Sequence, residues 1–312
     1  MKTAVITTAG LGTRLLTATK ASPKTLLPLY DRSFDRNTEP LLRPLVEIIF
    51  ENLYDNGFRR FCFIVGTKNR KLILNHMSQD PEYIELLKKR NNQSDRRFIK
   101  ALQRLYKKFE KCEIKWVSQN TPMGFGHALL SSKKFVGDES FLLHTGDAYF
   151  PDYSFLKDFI KSSQHEKKNT TTLLLQYKKL LKGYGIAQIK PYGYTDRRKI
   201  SKMNLKDSEI RRQSKSMARK MIVFHVEEKP KKPLSNLAIL PMYILEPKIF
   251  EALKKTSLGY NNELQVTDAI TTLMAWNHKV SAYNLLNNKW FDIGTTKKYF
   301  EALNYSFKKA TK

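Results

Sequence analysis

The residues with the clearest chemical reading lie near the N-terminus, in Ala9-Gly10-Leu11-Gly12-Thr13-Arg14. This two-glycine turn follows Lys2 to Thr8, a short run that reads as a buried strand. Backbone amides in such a turn can cradle a phosphate. Arg14, Lys20 and Lys24 come close behind it, and each can reach the oxygens of a triphosphate. The turn matches neither common phosphate loop. No Gly-Lys-Ser/Thr stands at P-loop spacing, and position 15 is Leu where G-x-G-x-x-G needs its third glycine. Asp31 lies near the distance of a ribose-binding acid, but Pro23 and Pro28 interrupt the helix a dinucleotide fold would need there.

The elements that must hold this turn follow from pattern. Thr38 can cap a helix from about Pro40 to Asn56, with Leu41, Leu45, Ile48, Ile49 and Leu53 at helical spacing and Gly57 as its stop. Buried strands are expected over Phe61–Val65, Ile114–Ser118 and Phe141–Leu143, the last leading into Gly146-Asp147. Helices are expected within Tyr83–Lys111, Gly126–Ser132 and Phe155–Ile160. This alternation calls for an α/β fold with a mainly parallel sheet covered on both faces, whose ligand sits at the carboxyl ends of the strands. After about Lys168 strand-like runs separated by turns dominate: Thr170–Tyr177, Gly185–Lys190, Ile222–Val226 and Leu237–Leu245. Helices at Pro247–Leu253 and Val266–Ala275, a strand at Val280–Leu286 and a closing helix at Tyr299–Phe307 complete the chain. Arg197 to Lys220, with little apolar content and many cations, reads as a long exposed loop or hairpin.

Residues 9 to 29, AGLGTRLLTATKASPKTLLPL, closely resemble the signature of sugar-1-phosphate nucleotidylyltransferases, in particular the bacterial-type UTP–glucose-1-phosphate uridylyltransferases. The resemblance recurs in order at Gln119 with Gly124-Phe125-Gly126-His127-Ala128, at Gly146-Asp147, at Tyr184-Gly185-Ile186 and at VEEKP (226–230). It continues through SNLA (235–238), ELQVTDAI (263–270) and FDIG (291–294), and so covers nearly the whole chain. It implies a Rossmann-like mixed sheet flanked by helices, the nucleotide-diphospho-sugar transferase (glycosyltransferase-A-like) fold. One domain over 1–312 is expected, softly divided into a nucleotide half, 1–168, and a sugar-phosphate half, 169–312.

The implied reaction joins UTP to glucose 1-phosphate, giving UDP-glucose and pyrophosphate. Phosphate is already a competent nucleophile, so the step needs polyanions brought together and growing charge neutralised. The resemblance places Mg²⁺ on Asp147 and Asp292, each at the end of an apolar strand-like run, the second continuing from Tyr283–Leu286 through Trp290-Phe291. It places the nucleotide on Ala9, Gly10, Leu11, Gly12, Thr13, Arg14 and Lys24, with Gln119 and Gly124 at the base. An amide that donates and accepts at once suits the edge of uracil or thymine. The sugar phosphate falls to Gly185, Glu228, Lys229 and Asn236, with Lys229 on the phosphate and Glu228 on the hydroxyls. Arg14, Lys24, Asp147 and Lys229 would carry the catalysis.

There are departures from the family pattern. Pro241-Met242 replaces a Gly-Arg beside the sugar pocket, Ala148 follows Asp147 where relatives carry a polar group, and Asp31 to Asn37 enlarges a loop. No appended β-helical acyltransferase domain is expected.

Composition bounds the rest. The chain has 312 residues, 41% hydrophobic and 12% aromatic, enough for a sizeable core and too apolar for a disordered basic tail. No run approaches a membrane span or a signal peptide. Cys62 and Cys112 cannot build a disulfide framework, and Cys62 reads as a small core residue. A cytoplasmic homo-oligomer is expected. With 56 Lys+Arg against 29 Asp+Glu the formal charge is +27, which fits partners bearing phosphates. The alternatives are a dTTP-using thymidylyltransferase, one methyl away in its base, and a non-catalytic regulatory or RNA-binding relative. Nucleic acid or an anionic surface is a further partner that the charge allows without supporting.

Overall fold

Alternate residues of the central strands face opposite ways, and both faces are apolar. In the computed structural model Ala4, Ile6, Phe61, Phe63 and Leu142 lie in one buried cluster. Their neighbours Val5, Cys62, Ile64, Phe141 and Leu143 lie in the other. Continuous apolar runs of this kind require helices on both sides of the sheet. The structure describes residues 1–10, 12–32, 39–90, 92–121, 123–165, 168–191 and 221–312. Leu11, Thr38, most of the enlarged loop at 31–37 and the basic segment at 197–220 lie outside the described residues.

The strands are β1 (Thr3–Thr7), β2 (Pro28–Asp31), β3 (Leu41–Pro44), β4 (Arg60–Gly66), β5 (Glu113–Gln119), β6 (Phe141–Thr145), β7 (Ala148–Tyr149), β8 (Gln164–His165) and β9 (Lys168–Asn169). They continue with β10 (Thr172–Tyr177), β11 (Ile186–Pro191), β12 (Met221–Glu227), β13 (Leu237–Leu245), β14 (Val280–Asn284) and β15 (Phe291–Asp292). The helices are α1 (Leu45–Asp55), α2 (Arg70–Met77), α3 (Pro81–Arg90), α4 (Gln93–Glu110), α5 (Phe125–Leu130), α6 (Lys133–Val136) and α7 (Leu156–Ser162). Three more follow: α8 (Ile249–Lys255), α9 (Val266–Ala275) and α10 (Thr296–Ala310).

Nine strands form one sheet in the order β10-β14-β12-β11-β13-β6-β1-β4-β5. It is mixed. The strands β6, β1, β4 and β5 run parallel to one another. From β13 outward the pairings are antiparallel, except that β10 and β14 are parallel. Helices α1, α2, α4, α7 and α10 cover one face and α5, α8 and α9 the other.

Two expectations about elements change. The helix expected from Pro40 begins only at Leu45, and Leu41–Pro44 pairs antiparallel with β2 instead. Pro44 is the cause: it disfavours a helical conformation at Arg43 and stands in extended backbone with ψ 140°. Asp292 does not continue the strand of Tyr283; β14 ends at Asn284 and β15 is a separate pair of residues bonded to β7.

Candidate active site

β1, β4 and β6 end side by side, and the loops beyond them open a cleft of about 580 Å³. The glycine turn after β1 contributes Ala9, Gly10, Gly12, Thr13 and Arg14 to its wall, and Lys24 and Thr25 follow from the next turn. Gln119 ends β5 and is buried, with its Nε2 donating to the Gly124 carbonyl at 3.3 Å. Gly124 has φ +101°, and a Cβ there would stand 2.7 Å from Glu263 Cβ and 2.8 Å from the Leu264 carbonyl. Only glycine lets this loop lie on the 263–264 segment, where Leu264 N–H bonds Met123 O and Gly126 N–H bonds Leu264 O.

Residues far apart in sequence meet across β7 and β15. Asp292 pairs with Ala148, and Ile293 N–H bonds Asp147 O at 3.0 Å. The antiparallel pair thereby brings the segment bearing Asp292 against Asp147. The Arg14 guanidinium packs over Gly294: a Cβ at that position would lie 2.7 Å from Arg14 Nη2 and 2.6 Å from Asp292 Oδ1. The glycine turn and β15 therefore close on one point.

Both carboxylates carry a lysine. Lys24 Nζ forms a short ion pair with Asp147 Oδ2, and Lys298 Nζ lies 2.7 Å from Asp292 Oδ2. Burial pushes the Asp147 carboxyl toward protonation, but the Lys24 ammonium beside it prevails and holds it below the ordinary carboxylate range. Thr25 lines the cleft, and its buried Oγ1 has no hydrogen-bond partner among the described residues. No group of three or more His, Cys, Asp or Glu side chains that could hold a metal is assembled among the described residues. Two hard carboxylates without a third protein ligand suit Mg²⁺, which takes one or two carboxylates and completes its shell with substrate phosphates and water.

The opposite wall comes from the antiparallel half of the sheet. Glu228 Oε1 lies 3.0 Å from Lys229 Nζ, and its Oε2 accepts from Thr267 Oγ1 at 2.7 Å. Lys229 has φ +44°, and its ammonium lies 4.7 Å from the centre of the Tyr260 ring. Gly185 sits opposite: a Cβ there would lie 3.1 Å from Glu228 Oε2. Pro241 lines this wall at a bulge, where Leu240, Pro241 and Met242 stand between the pairings of Ile239 with Leu175 and Tyr243 with Leu173. A bulge accommodates a residue that cannot donate to the ladder.

The cleft thus gathers the expected site residues that are described, except Asn236 and Lys20. Asn236 is exposed and away from the cleft. Ile239, Pro241 and Tyr243 share the inward parity of β13, and position 236 falls on the other. Lys20 is likewise exposed and outside. Residue-by-residue reading did not single out Lys298, Thr25 or Thr267; the lysine pair at 297–298, in the first turn of the helix after Asp292, was the available signal for the first.

A glycine turn followed by Arg14 and Lys24, two carboxylates and a facing Glu228–Lys229 pair gather at the carboxyl ends of parallel strands, where ligands of such sheets bind. The chain belongs to the nucleotidyl transferase family, whose model matches residues 3–309. It is 31% identical over 297 residues to UTP–glucose-1-phosphate uridylyltransferase of Bacillus subtilis, covering 94% of this chain and 87% of that protein. It is 29% identical over 309 residues to the protein of the same name from Mycoplasma pneumoniae, covering 98% and 92%. A crystal structure of UDP-glucose pyrophosphorylase complexed with UDP-glucose superposes with TM-score 0.73 at 25% identity, over 99% of both chains. The UTP-bound enzyme of Acinetobacter baumannii shares the fold, with TM-score 0.74 at 23% identity over 98% of this chain and 93% of that one. The protein is therefore a sugar nucleotidyltransferase in class. Among its described residues no helix is long and apolar enough to cross a membrane.

Proposed function

We propose that this chain is a UTP–glucose-1-phosphate uridylyltransferase that works as one unit, with the nucleotide on the 1–168 side of the cleft and the sugar phosphate on the 169–312 side. The observation that carries the proposal is the β7–β15 pair, which sets Asp147 beside the Asp292 segment between the cations Arg14 and Lys24 and the facing Glu228 and Lys229. Relatives named for this reaction, similar along nearly the whole chain, support the choice of UTP and glucose 1-phosphate.

A phosphate oxygen of glucose 1-phosphate attacks the α-phosphorus of UTP, the bond from that phosphorus to the bridging oxygen breaks, and pyrophosphate leaves. Mg²⁺ held by Asp147 and Asp292 would neutralise charge on the phosphoryl oxygens. Lys24, already beside Asp147, and Arg14 donate to the triphosphate, where charge grows on the leaving pyrophosphate. Lys229 steers the incoming phosphate, and Glu228, held by Thr267, accepts from sugar hydroxyls. Gln119 and the backbone of Gly124 bound the base.

Purified protein with UTP, glucose 1-phosphate and Mg²⁺ is expected to release pyrophosphate. Asp147→Asn should lower turnover by on the order of 10²–10³ while the protein stays folded by circular dichroism. A matrix of dTTP and the other nucleotides against galactose and N-acetylglucosamine 1-phosphates tests the substrate assignment. Silence with every pair would refute the proposal.

A further inference from the structure

A second cavity, of about 660 Å³, opens between the end of β10, the loop before β15 and the last turns of α10. Trp290 is its common wall with the active cleft. That wall is firmly built: the Trp290 indole N–H donates to Gln176 Oε1 at 3.2 Å. Gln176 in turn donates to the carbonyls of Leu285 and Asn288 at 2.9 and 3.0 Å.

The cavity is strongly cationic. Lys178, Lys289, Lys308, Lys309 and Lys312 line it, with Glu301 as the one acidic side chain of the lining. Lys309 is taken up by the Pro151 carbonyl. The ion pairs found among the described residues engage none of the other four lysines. Two of them lie over rings instead: Lys178 at 5.5 Å from the Trp290 centroid and Lys289 at 4.8 Å from that of Tyr305. Burial, with Lys298 nearby, shifts the Lys178 ammonium toward losing its proton. Ammonium groups gathered around one half-enclosed space repel each other, and a multiply charged anion removes that repulsion.

We propose that this cavity is a second anion site, distinct from the substrate cleft, which takes a chain of phosphates, either free or carried by a nucleoside. The active cleft needs its cations for reacting substrates; this cavity holds no carboxylate pair for a metal and no reacting group, so it binds without turning over. Its aromatic wall of Trp290 and Tyr305 offers a face for a base, and its lysines hold the phosphates.

The test is calorimetric titration with inorganic tripolyphosphate in metal-free buffer at about 0.15 M salt, where diffuse surface attraction is largely screened. Wild type should bind two equivalents per chain, one in each cavity. Lys289→Ala/Lys308→Ala/Lys312→Ala should lose one of them, or weaken it at least about ten-fold. Arg14→Ala/Lys24→Ala should lose the other. A charge-matched variant elsewhere, Lys88→Ala/Lys89→Ala/Lys111→Ala, should lose neither. UDP in place of tripolyphosphate separates the two sources: markedly tighter binding at this site assigns it to a nucleotide, and equal or weaker binding to the free phosphate chain. If the active cleft is misassigned, wild type shows one equivalent, which still vanishes with the first variant. Equal weakening by both triple variants, or an isotherm that the first leaves unchanged, overturns the proposal.

Discussion

His144 lies fully buried on β6, three residues before Asp147, and its protonation should set a measurable part of the pH dependence of stability. Its Nδ1 faces the Thr145 carbonyl at 2.7 Å and its Nε2 the Tyr153 hydroxyl at 2.9 Å. The carbonyl can only accept, so Nδ1 carries the proton, and Tyr153 donates to Nε2. Burial pushes the Tyr153 hydroxyl well above its ordinary range, which keeps that donor in place. A second proton on the ring would displace the Tyr153 bond inside the core. Burial accordingly pushes the His144 pKa down from 6.5 to about 4, with the Thr145 bond and Asp147 opposing weakly. In the unfolded chain the imidazole takes up a proton near pH 6.5, and in the folded protein only near pH 4. The unfolded state therefore binds more protons between those values, and stability falls as pH falls through that window. From about pH 7.5 to about pH 5.5 the loss is about 1.3 kcal/mol, and below both values it reaches about 3 kcal/mol. Urea unfolding at both pH values, with wild type and His144→Gln, gives the comparison. The variant keeps a polar side chain but cannot titrate, so the difference between the two proteins should shrink by about 1.3 kcal/mol at the lower pH. An unchanged difference would refute the neutral buried tautomer, as would a folded-state NMR titration of His144 centred near 6.5.

Other perturbations have equally definite outcomes. Arg43 is buried between Glu47 at 2.6 Å, Asp31 at 2.6 Å and Glu51, and Lys108 continues the network to Glu51 and Asp55. Arg43→Met takes the guanidinium from Glu47 and Glu51, leaving these buried carboxylates only His76 and Lys108, and should cost about 3–5 kcal/mol in urea unfolding, part of which Glu47→Leu in the same protein restores. Lys298→Met removes the ammonium that pairs with Asp292, so the Mg²⁺ concentration for half-maximal turnover should fall about two- to five-fold. Thr267→Val frees Glu228 from its positioning bond; kcat/KM for the sugar phosphate should drop about ten-fold while the KM for UTP stays unchanged, and parallel changes in both would show a general loss of fold.

Much of this was legible in the sequence, for a physical reason. The apolar runs of β1, β4 and β6 are continuous because the sheet is covered on both faces, and the glycine turn follows the first of them directly. Val266–Ala275 and Leu237–Leu245 were readable to the residue, the first from its helical period and the second from a continuous apolar run between Asn236 and Glu246. The start of α1 was not. Leu41 and Leu45 share the helical spacing of Ile48 and Ile49, yet Pro44 between them turns the first of these into a strand residue. The mixed character of the sheet was only half visible, because antiparallel and parallel strands have similar composition once both faces are buried. Asn236 shows the same limit within the site: motif position put it near the sugar, and strand parity put it outside.

The placing of the two carboxylates is the step that no local pattern contains. Asp147 follows the end of a strand buried inside the sheet, while Asp292 belongs to a two-residue strand too short to register as one in any window. What joins them is the β7–β15 pairing together with the Ile293 bond to the Asp147 carbonyl. Gly294 then leaves room for Arg14 to reach the same point from the opposite end of the chain. A site assembled this way is complete only when the C-terminal segment has docked, because β15 and Lys298 on α10 arrive together. That docking is itself held at a distance from the chemistry, by Tyr299 Oη on the Pro28 carbonyl and by Tyr30 N–H on Ser306 Oγ. The β2–β3 hairpin, which Arg43 locks to α1, is therefore the platform on which α10 rests. The buried ion network and the two cleft carboxylates are thus linked through one continuous set of contacts, and changes at Arg43 should reach the cleft by way of α10.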